Sequence, residues 1–168
     1  MASLLPTAIW LLVAYQAPKF DARFKGLERS PALAGFHEVP PGLMGSWSES
    51  RGLFLHRWFQ SDDWRIEVGG VRYSSAEERE ARMKEVHFTQ AAHIPMKWDL
   101  DKHGLKLFYV GNPMCRLVSL TNGNEAVDVW LVTPPKLTPK LPDTKTSRQF
   151  EQLVLEVQRR LNPSSQKS

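Results

Sequence analysis

The stretch RLVSLTNGNEAVDVWLVT, residues 116–133, decides the fold class of this chain of 168 residues. Two apolar runs, Arg116–Thr121 and Ala126–Thr133, flank the tripeptide Asn122-Gly123-Asn124. An Asn-Gly pair between two such runs is the strongest short-range signal of a β-hairpin, because both residues accept the positive φ of a tight turn. The stretch therefore predicts two neighbouring antiparallel strands.

Further strands are predicted on the N-terminal side of that hairpin, because short runs there are apolar or alternate between apolar and polar residues. These runs are Leu53–Phe59, Trp64–Val68, Met96–Leu100 and Leu105–Val110. Gly69-Gly70 is predicted to turn or bulge the chain into Val71–Tyr73. The predicted fold class is α+β and β-rich, with an antiparallel sheet or a partly closed barrel.

Two helices are predicted after sequences of the capping-box type. Ser75 with Glu78 precedes the charged run Ala76–Val86, whose thin apolar side indicates a surface helix. Thr146 with Gln149 marks the start of a C-terminal helix from Ser147 to Leu161. The apolar side chains of this second helix form one stripe: Phe150, Leu153, Val154, Val157 and Leu161. The stripe must be buried, either on the chain's own sheet, which is favoured, or in the groove of a partner.

The first eighteen residues carry no charge, and a basic cluster follows in Lys19–Arg29. This pattern is typical of a segment that enters or lies on a membrane, or that partner subunits hold. Pro6 and Thr7 interrupt the run, and its length is at the lower edge of the roughly 17–25 residues that a membrane span needs. Shallow insertion or burial by subunits is therefore favoured over a straight crossing. The alternative is an ordinary helix, Thr7–Ala17, packed on the chain's own core. The predicted contact residues are Leu4, Leu5, Ile9, Trp10, Leu12 and Val13.

The composition predicts one domain with extensions, since 168 residues that are 42% hydrophobic can bury one core. The predicted divisions are an apolar segment (1–18), a basic linker rich in Pro and Gly (19–45), a β-rich domain (46–134), and a Pro-rich spacer with the C-terminal helix (135–168). The net charge of +4 is modest, and the excess lies toward the ends. Such ends suit RNA, anionic lipid or an acidic subunit equally well.

The candidate catalytic and metal-binding residues form no known motif. The single Cys115 excludes an intrachain disulfide framework and a cysteine zinc site. The histidines His56, His87, His93 and His103 lie in different predicted elements and form no i, i+4 pair. The paired acids Asp62-Asp63 and Asp99 with Asp101 lie at turns, where Asp commonly bonds the backbone. No catalytic residue, metal site or cofactor is expected from these residues, and a non-catalytic role is favoured.

Aromatic and arginine side chains alternate between Trp47 and Arg65 in a way that suits contact with single-stranded RNA. Strand alternation separates these side chains into two sets on opposite faces, and one set must belong to the core. The two sets are Phe54, His56 and Trp58, and Leu53, Leu55, Arg57 and Phe59. RNA contact is therefore retained as one alternative.

Four short motifs follow one another between residues 45 and 134: Gly45-x-Trp47-x-x-x-Arg51, Gly69-Gly70-Val71-Arg72, Ile94-Pro95 ahead of Gly104-Leu105-Lys106-Leu107, and Trp130-Leu131-Val132-Thr133-Pro134. Their order resembles S-type phycobiliprotein lyases. The resemblance implies a lipocalin-like barrel that holds a bilin, an open-chain tetrapyrrole, and delivers it to a cysteine of an antenna protein. It makes Trp47, Arg51, Arg72 and Trp130 candidate bilin-binding residues. The carboxylate and the arginine expected around the last motif are not matched, since Val127 and Leu137 or Lys136 stand near those places.

The functional hypothesis is a non-catalytic accessory subunit of an organellar membrane complex, mitochondrial or plastid. Its N-terminal apolar segment would contact lipid, and its arms would contact other protein subunits, so that it is not a free monomer. One alternative is a lipocalin-like tetrapyrrole-binding protein or bilin lyase. The other is an RNA-contacting subunit of an organellar ribosome.

Overall fold

The computed structural model describes residues 21–40, 52–89, 95–96, 107–109, 116–134, 137–138 and 141–163. Within these residues the chain forms a seven-stranded antiparallel sheet and two α-helices, which confirms the β-rich α+β class. The strands are β1 His37–Val39, β2 Leu53–Gln60, β3 Arg65–Arg72, β4 Pro95–Met96, β5 Leu107–Tyr109, β6 Arg116–Asn122 and β7 Glu125–Val132, and the helices are α1 Ala76–Thr89 and α2 Thr144–Leu161.

The strands are ordered β1-β2-β3-β7-β6-β5-β4, and each neighbouring pair is antiparallel. The two outer strands are short, with three residues in β1 and two in β4. In the part of the chain that the structure describes, these two strands do not pair with each other, so the sheet is open. Of the two predicted arrangements, the antiparallel sheet is therefore confirmed, and the lipocalin-like barrel is wrong for this part, because a barrel requires the outer strands to pair.

The hairpin predicted from residues 116–133 is confirmed. Asn122 pairs with Glu125, so the turn consists of Gly123 and Asn124, with Gly123 at a φ of 55°. The side chain of Asn122 donates a hydrogen bond to the carbonyl of Leu161 (2.8 Å), and the side chain of Asn124 donates to the carbonyl of Tyr73 (2.5 Å). The turn is therefore fixed to the end of α2 and to the end of β3.

Gly69 and Gly70 lie within β3, so the prediction that the chain turns there is wrong. Gly70 is opposite Leu55, and a Cβ at this position would lie 2.8 Å from the ring of Phe54 and 3.0 Å from the Cβ of Leu55. The irregularity in pairing lies in β2, between Leu53 and Leu55, directly across from this glycine. The glycine is thus needed for the close approach of β2 and not for a turn.

Helix α2 packs on one face of the sheet. It begins at Thr144 with Asp143 as its N-cap, whose carboxylate accepts a hydrogen bond from the amide of Thr146 (2.6 Å); this replaces the predicted cap at Thr146. The whole predicted stripe is buried in the hydrophobic core of this chain: Phe150, Leu153, Val154, Val157 and Leu161. The structure therefore shows packing on the chain's own sheet, and the expectation that this stripe contacts a partner is corrected.

The described residues that precede β1 are part of the folded body and do not form a linker. They form three short 3-10 turns, at Ala22–Phe24, Leu27–Arg29 and Pro31–Leu33. Four of their side chains are buried in the same core as α2: Phe24, Leu27, Ala32 and Leu33. The basic segment thus covers part of the sheet.

The predicted N-terminal helix and its contact residues lie outside the described residues and stay predictions: Leu4, Leu5, Ile9, Trp10, Leu12 and Val13. Neither helix in the described part of the chain combines the length and the apolar character that crossing a membrane requires.

Candidate ligand-binding face

The two faces of the sheet differ in chemistry. The face under α2 is lined by buried aliphatic and aromatic side chains from the four central strands: Leu55, Phe59, Ile66, Val68, Val118, Leu120, Val127, Val129 and Leu131. The opposite face, which we call the polar face, carries alternate residues of the same strands, among them the buried apolar side chains of Val71, Leu117 and Ala126. Its polar and large aromatic side chains are six in number: His56, Trp58, Glu67, Ser119, Asp128 and Trp130. Three of these six side chains are ionisable and buried, which is unusual enough to require an explanation.

Strand pairing places four residues in one row across the polar face. His56 is opposite Gly69, Gly69 is opposite Asp128, and Asp128 is opposite Ser119. Because neighbouring strands are about 4.8 Å apart, the Cα atoms of His56 and Asp128 are separated by about 10 Å. Gly69 contributes no side chain between them. An imidazole and a carboxyl group therefore lie in line across the middle of the sheet.

Asp128 is a buried acid, and none of the groups that shift its pKa is basic. Only 6% of its surface is exposed, and its carboxylate accepts a hydrogen bond from the hydroxyl of Ser119. Burial raises the pKa of Asp128 to about 7, and the bond from Ser119 opposes this rise only in part. At neutral pH the side chain is therefore divided between a carboxylic acid, which donates, and a carboxylate, which accepts.

His56 is a buried imidazole, and within the described part of the chain neither of its ring nitrogens is hydrogen-bonded. It is 3% exposed, and Nδ1 and Nε2 both lack a partner. Burial lowers the pKa of His56, so the ring is neutral near pH 7, with one N–H group and one free lone pair. The ring of Trp58 meets it edge-on, with centroids 6.0 Å apart and an interplanar angle of 85°. Buried polar atoms are almost always satisfied in folded proteins, so this imidazole is a candidate binding group.

The neighbouring row supplies two aromatic side chains around a buried acid. Trp58 is opposite Glu67, and Glu67 is opposite Trp130. Glu67 is paired with Arg65 at 2.6 Å, and burial nevertheless raises the pKa of Glu67. The guanidinium of Arg65 also lies 4.3 Å from the ring centre of Trp58. The buried indole N–H of Trp130 has no hydrogen-bond partner, so this row too leaves a donor available.

Tyr73 adjoins the polar face at the far end of β3. Burial is the main cause that raises the pKa of its hydroxyl, and the negative charge of Asp128 adds to it. Two residues of α1 act on the same hydroxyl, since Arg82 lowers its pKa and Glu78 raises it. The start of α1 therefore lies close to the row that contains Asp128.

The structure separates the candidate bilin-binding residues named in the sequence analysis. Trp130 lies on the polar face, whereas Arg72 binds Glu125 at 2.6 Å at the end of the sheet. Trp47 and Arg51 lie outside the described residues. Of the two candidates that the structure describes, Trp130 lies on the same face as His56 and Asp128, and Arg72 does not lie near them.

Sequence reasoning named His56 among the histidines that form no metal motif and in the aromatic and arginine set considered for RNA contact, and it did not single out Asp128. A signal for both was present, because each is an ionisable residue inside a largely apolar strand, LFLHRWF or AVDVWLV, although Arg57 also interrupts the first of these. Strand alternation puts each of them opposite the aliphatic face, where a buried polar group must serve some purpose.

The described members of the aromatic and arginine set proposed for RNA contact are mostly buried. His56, Arg57, Phe59 and Trp64 are buried. Arg57 binds Glu28 and Glu38, so its charge is already paired. RNA contact therefore stays a prediction that this set of side chains does not support.

Comparison of the chain with protein-family models, with curated proteins and with solved structures finds no match. Function must therefore be argued from the polar face itself. Among the described residues, no group of three or more His, Cys, Asp or Glu side chains could hold a metal ion.

Proposed function

We propose that this protein binds a planar, largely apolar small molecule on its polar face and does not change it chemically. The observation that carries the proposal is His56, which is buried with both ring nitrogens unpaired in the same row as the buried carboxyl group of Asp128.

The energetic argument concerns three nitrogen atoms. Nδ1 and Nε2 of His56 and Nε1 of Trp130 are removed from water without a hydrogen bond in return. A buried polar group left unsatisfied costs about 1–3 kcal/mol, so the free protein carries an unfavourable term that a ligand with matching groups would remove. Binding sites for small molecules commonly combine such convergent polar groups with apolar and aromatic walls.

A tetrapyrrole is the ligand that best combines the polar face with the resemblance to bilin lyases. Its flat conjugated rings suit Trp58 and Trp130, since aromatic side chains bury large flat surfaces. Its pyrrole N–H groups suit the carboxylate form of Asp128, and its acidic side chains suit the N–H donors of His56 and Trp130. Trp130 belongs both to the polar face and to the last of the four motifs.

The test is titration of the full-length protein with biliverdin and with protoporphyrin IX, followed by visible absorbance and by tryptophan fluorescence. We expect saturable quenching and a shifted absorption band with at least one of the two probes. Trp130→Phe keeps the aromatic ring and removes the N–H donor, so it should weaken binding by about fivefold to tenfold, the value of one hydrogen bond. Gln152→Ala, on the exposed side of α2, is the control. Absence of saturable binding with both probes would refute the proposal.

A second candidate function is supported by a different observation. Leu137 and Leu141 are large apolar side chains that are 39% and 64% exposed, and both lie in the Pro-rich spacer before α2. Proline keeps such a segment extended and lowers the entropy lost on binding. We therefore retain the proposal of an accessory subunit in an organellar membrane complex, with these leucines as contacts to a neighbouring chain.

This second proposal is tested in native membranes. Blue native gels with mass spectrometry of co-migrating chains should place the protein in a large assembly, and alkaline extraction should leave it with the membrane. The double variant Leu137→Ser and Leu141→Ser should lower the fraction in the assembly, whereas Gln152→Ala should not. Migration of the wild-type chain as a free monomer near 19.2 kDa would refute it. A ribosomal role would instead require RNA binding that falls steeply with salt.

A further inference from the structure

Resting on the proposed role of the Pro-rich spacer as a contact to a neighbouring chain, we propose that this spacer docks as a polyproline II helix in the aromatic-lined groove of an SH3-type domain on that chain. The docking sequence is Thr138-Pro139-Lys140-Leu141-Pro142, with Lys136 ahead of it. Failure of this assignment would leave the more general proposal of a contact through the spacer intact.

The first observation is the spacing of the prolines. Pro139 and Pro142 are three residues apart, and Thr138 and Leu141 precede them. A polyproline II helix has three residues per turn, so the pairs Thr138-Pro139 and Leu141-Pro142 repeat on one side of such a helix. SH3 domains recognise the P-x-x-P pattern in a groove with aromatic walls. The spacer thus offers two pairs in the register that this kind of groove accepts.

The second observation is the exposure of the spacer. Among the described residues, Leu137 and Leu141 are the large apolar side chains that are exposed, by 39% and 64%. Thr138 is exposed as well, whereas Pro134, two residues after the end of β7, is buried. Thr138 and Leu141, the two residues that precede the spaced prolines, are therefore accessible to a partner.

The third observation is that both ends of the spacer are fixed to the fold. At one end, the amide of Leu137 donates a hydrogen bond to the carbonyl of Pro134 (3.0 Å), which places Leu137 in a turn ahead of the two pairs. At the other end, Asp143 caps α2. A segment that is held at both ends loses less entropy on binding than a free tail does. The turn also predicts that Leu137 lies outside the docking face, in contrast to Leu141.

The fourth observation is the charge of the region. Residues 134–148 contain one acidic side chain, Asp143, and four basic ones: Lys136, Lys140, Lys145 and Arg148. The last two of these are exposed at the start of α2. Lys136 stands three residues before Pro139, where a basic side chain can pair with acidic groups beside the groove. The partner groove is therefore expected to carry aromatic walls and a flanking acidic patch.

The experiment titrates the full-length protein into isotope-labelled SH3 domains that select a basic residue ahead of the prolines, and follows the NMR shifts of the groove residues. The variants are Leu141→Ser and Pro139→Ala. The matched control is Leu137→Ser, which removes the same apolar side chain from the same spacer. Circular dichroism and the urea midpoint of each variant establish that the fold is unchanged.

We expect saturable shifts that are confined to the aromatic groove. Leu141→Ser and Pro139→Ala should each weaken binding at least about tenfold, whereas Leu137→Ser should bind within about threefold of the wild type, because only a side chain buried in the groove contributes its apolar surface. Binding should also weaken as salt is raised, since salt screens the attraction between the lysines and the acidic patch.

Two results would overturn the assignment while leaving a contact through the spacer in place. The first is equal weakening by Leu137→Ser and Leu141→Ser, because the turn would then not separate the two leucines. The second is the absence of saturable shifts in every SH3 domain tested, while the double variant Leu137→Ser and Leu141→Ser still lowers the fraction of the protein in its native assembly. If that double variant leaves the assembly unchanged as well, the proposed contact through the spacer also fails.

Discussion

At the scale of single residues, the ionisation of Asp128 links stability to pH. Its pKa is raised from 3.8 to about 7 by burial, so the folded state holds this proton more tightly than the unfolded state. The resulting stabilisation is fully present below about pH 4 and is lost as the pH rises to about 7. The Asp128→Asn variant cannot ionise at this position, so at pH 8 its free energy of unfolding should exceed that of the wild type by up to about 4 kcal/mol. This figure follows because a tenfold change in proton affinity is worth about 1.4 kcal/mol.

Urea unfolding of both proteins at pH 5 and pH 8 measures this difference. Asp62→Asn, at the exposed connection between β2 and β3, is the control for removal of a carboxylate at the surface. A constant difference between Asp128→Asn and the wild type across this range would show that Asp128 is solvated.

A second prediction at this scale concerns Arg57, which fixes the segment before β1 to the sheet. Its guanidinium binds Glu28 (2.8 Å) and Glu38 (2.6 Å) and donates to the carbonyl of Phe24 (3.3 Å). Arg57→Met keeps the apolar stem and removes the bonds to all three partners. We expect a loss of about 1–3 kcal/mol in the free energy of unfolding, because both carboxylates are about 40% exposed and can be rehydrated.

The measurement is urea unfolding together with the rate of chymotrypsin cleavage near Phe24, which should rise. Arg29→Met is the control, since the side chain of Arg29 is 79% exposed and its pairing with Glu28 is long, at 3.8 Å. It should alter stability by less than about 0.5 kcal/mol. Equal effects of the two substitutions would contradict a special role for Arg57.

At the scale of elements, α2 contributes much of the core. Leu153 is fully buried, and its truncation to alanine should lower the free energy of unfolding by about 2–5 kcal/mol through lost burial and the cavity left behind. Gln152→Ala, one residue away on the exposed side, should have little effect. Thermal and urea unfolding of the isolated chain measure the change in the free energy of unfolding for both variants. If Leu153→Ala cost less than about 1 kcal/mol, α2 would not be packed on this sheet in solution.

The elements also show what a sequence can and cannot reveal. The β6–β7 hairpin was predictable because its signal is local: two apolar runs around Asn122-Gly123. The requirement for glycine at position 70 was not predictable, because it arises from the close approach of Phe54 and Leu55 on another strand. The alignment of His56 with Asp128 depends on β3 pairing with both β2 and β7, and no local pattern specifies such non-local register.

At the scale of the whole molecule, the core joins segments that are far apart in sequence. Side chains from the turns before β1, from the central strands and from α2 form one cluster. Ion pairs and a hydrogen bond strengthen the same connection. Arg23 forms ion pairs with both Asp21 and Glu125, and the Arg160 guanidinium donates a hydrogen bond to the carbonyl of Lys25. The charges of the basic cluster after the apolar run are thus used in part within the fold, which leaves fewer of them for lipid or RNA.

This arrangement predicts how the chain responds to shortening. A chain that begins at Pro41 lacks Phe24, Leu27, Ala32 and Leu33, and it should be much less stable than a chain that begins at Lys19, because burying each large apolar side chain contributes about 1.5–3 kcal/mol. Urea midpoints of the two purified chains measure the difference. Equal midpoints would show that residues 21–40 are dispensable to the core. Native gels of the chain from Lys19 and of the full-length chain then separate the role of residues 1–18 from that of residues 21–40. If the chain from Lys19 loses assembly without losing stability, partner contact is assigned to residues 1–18 alone.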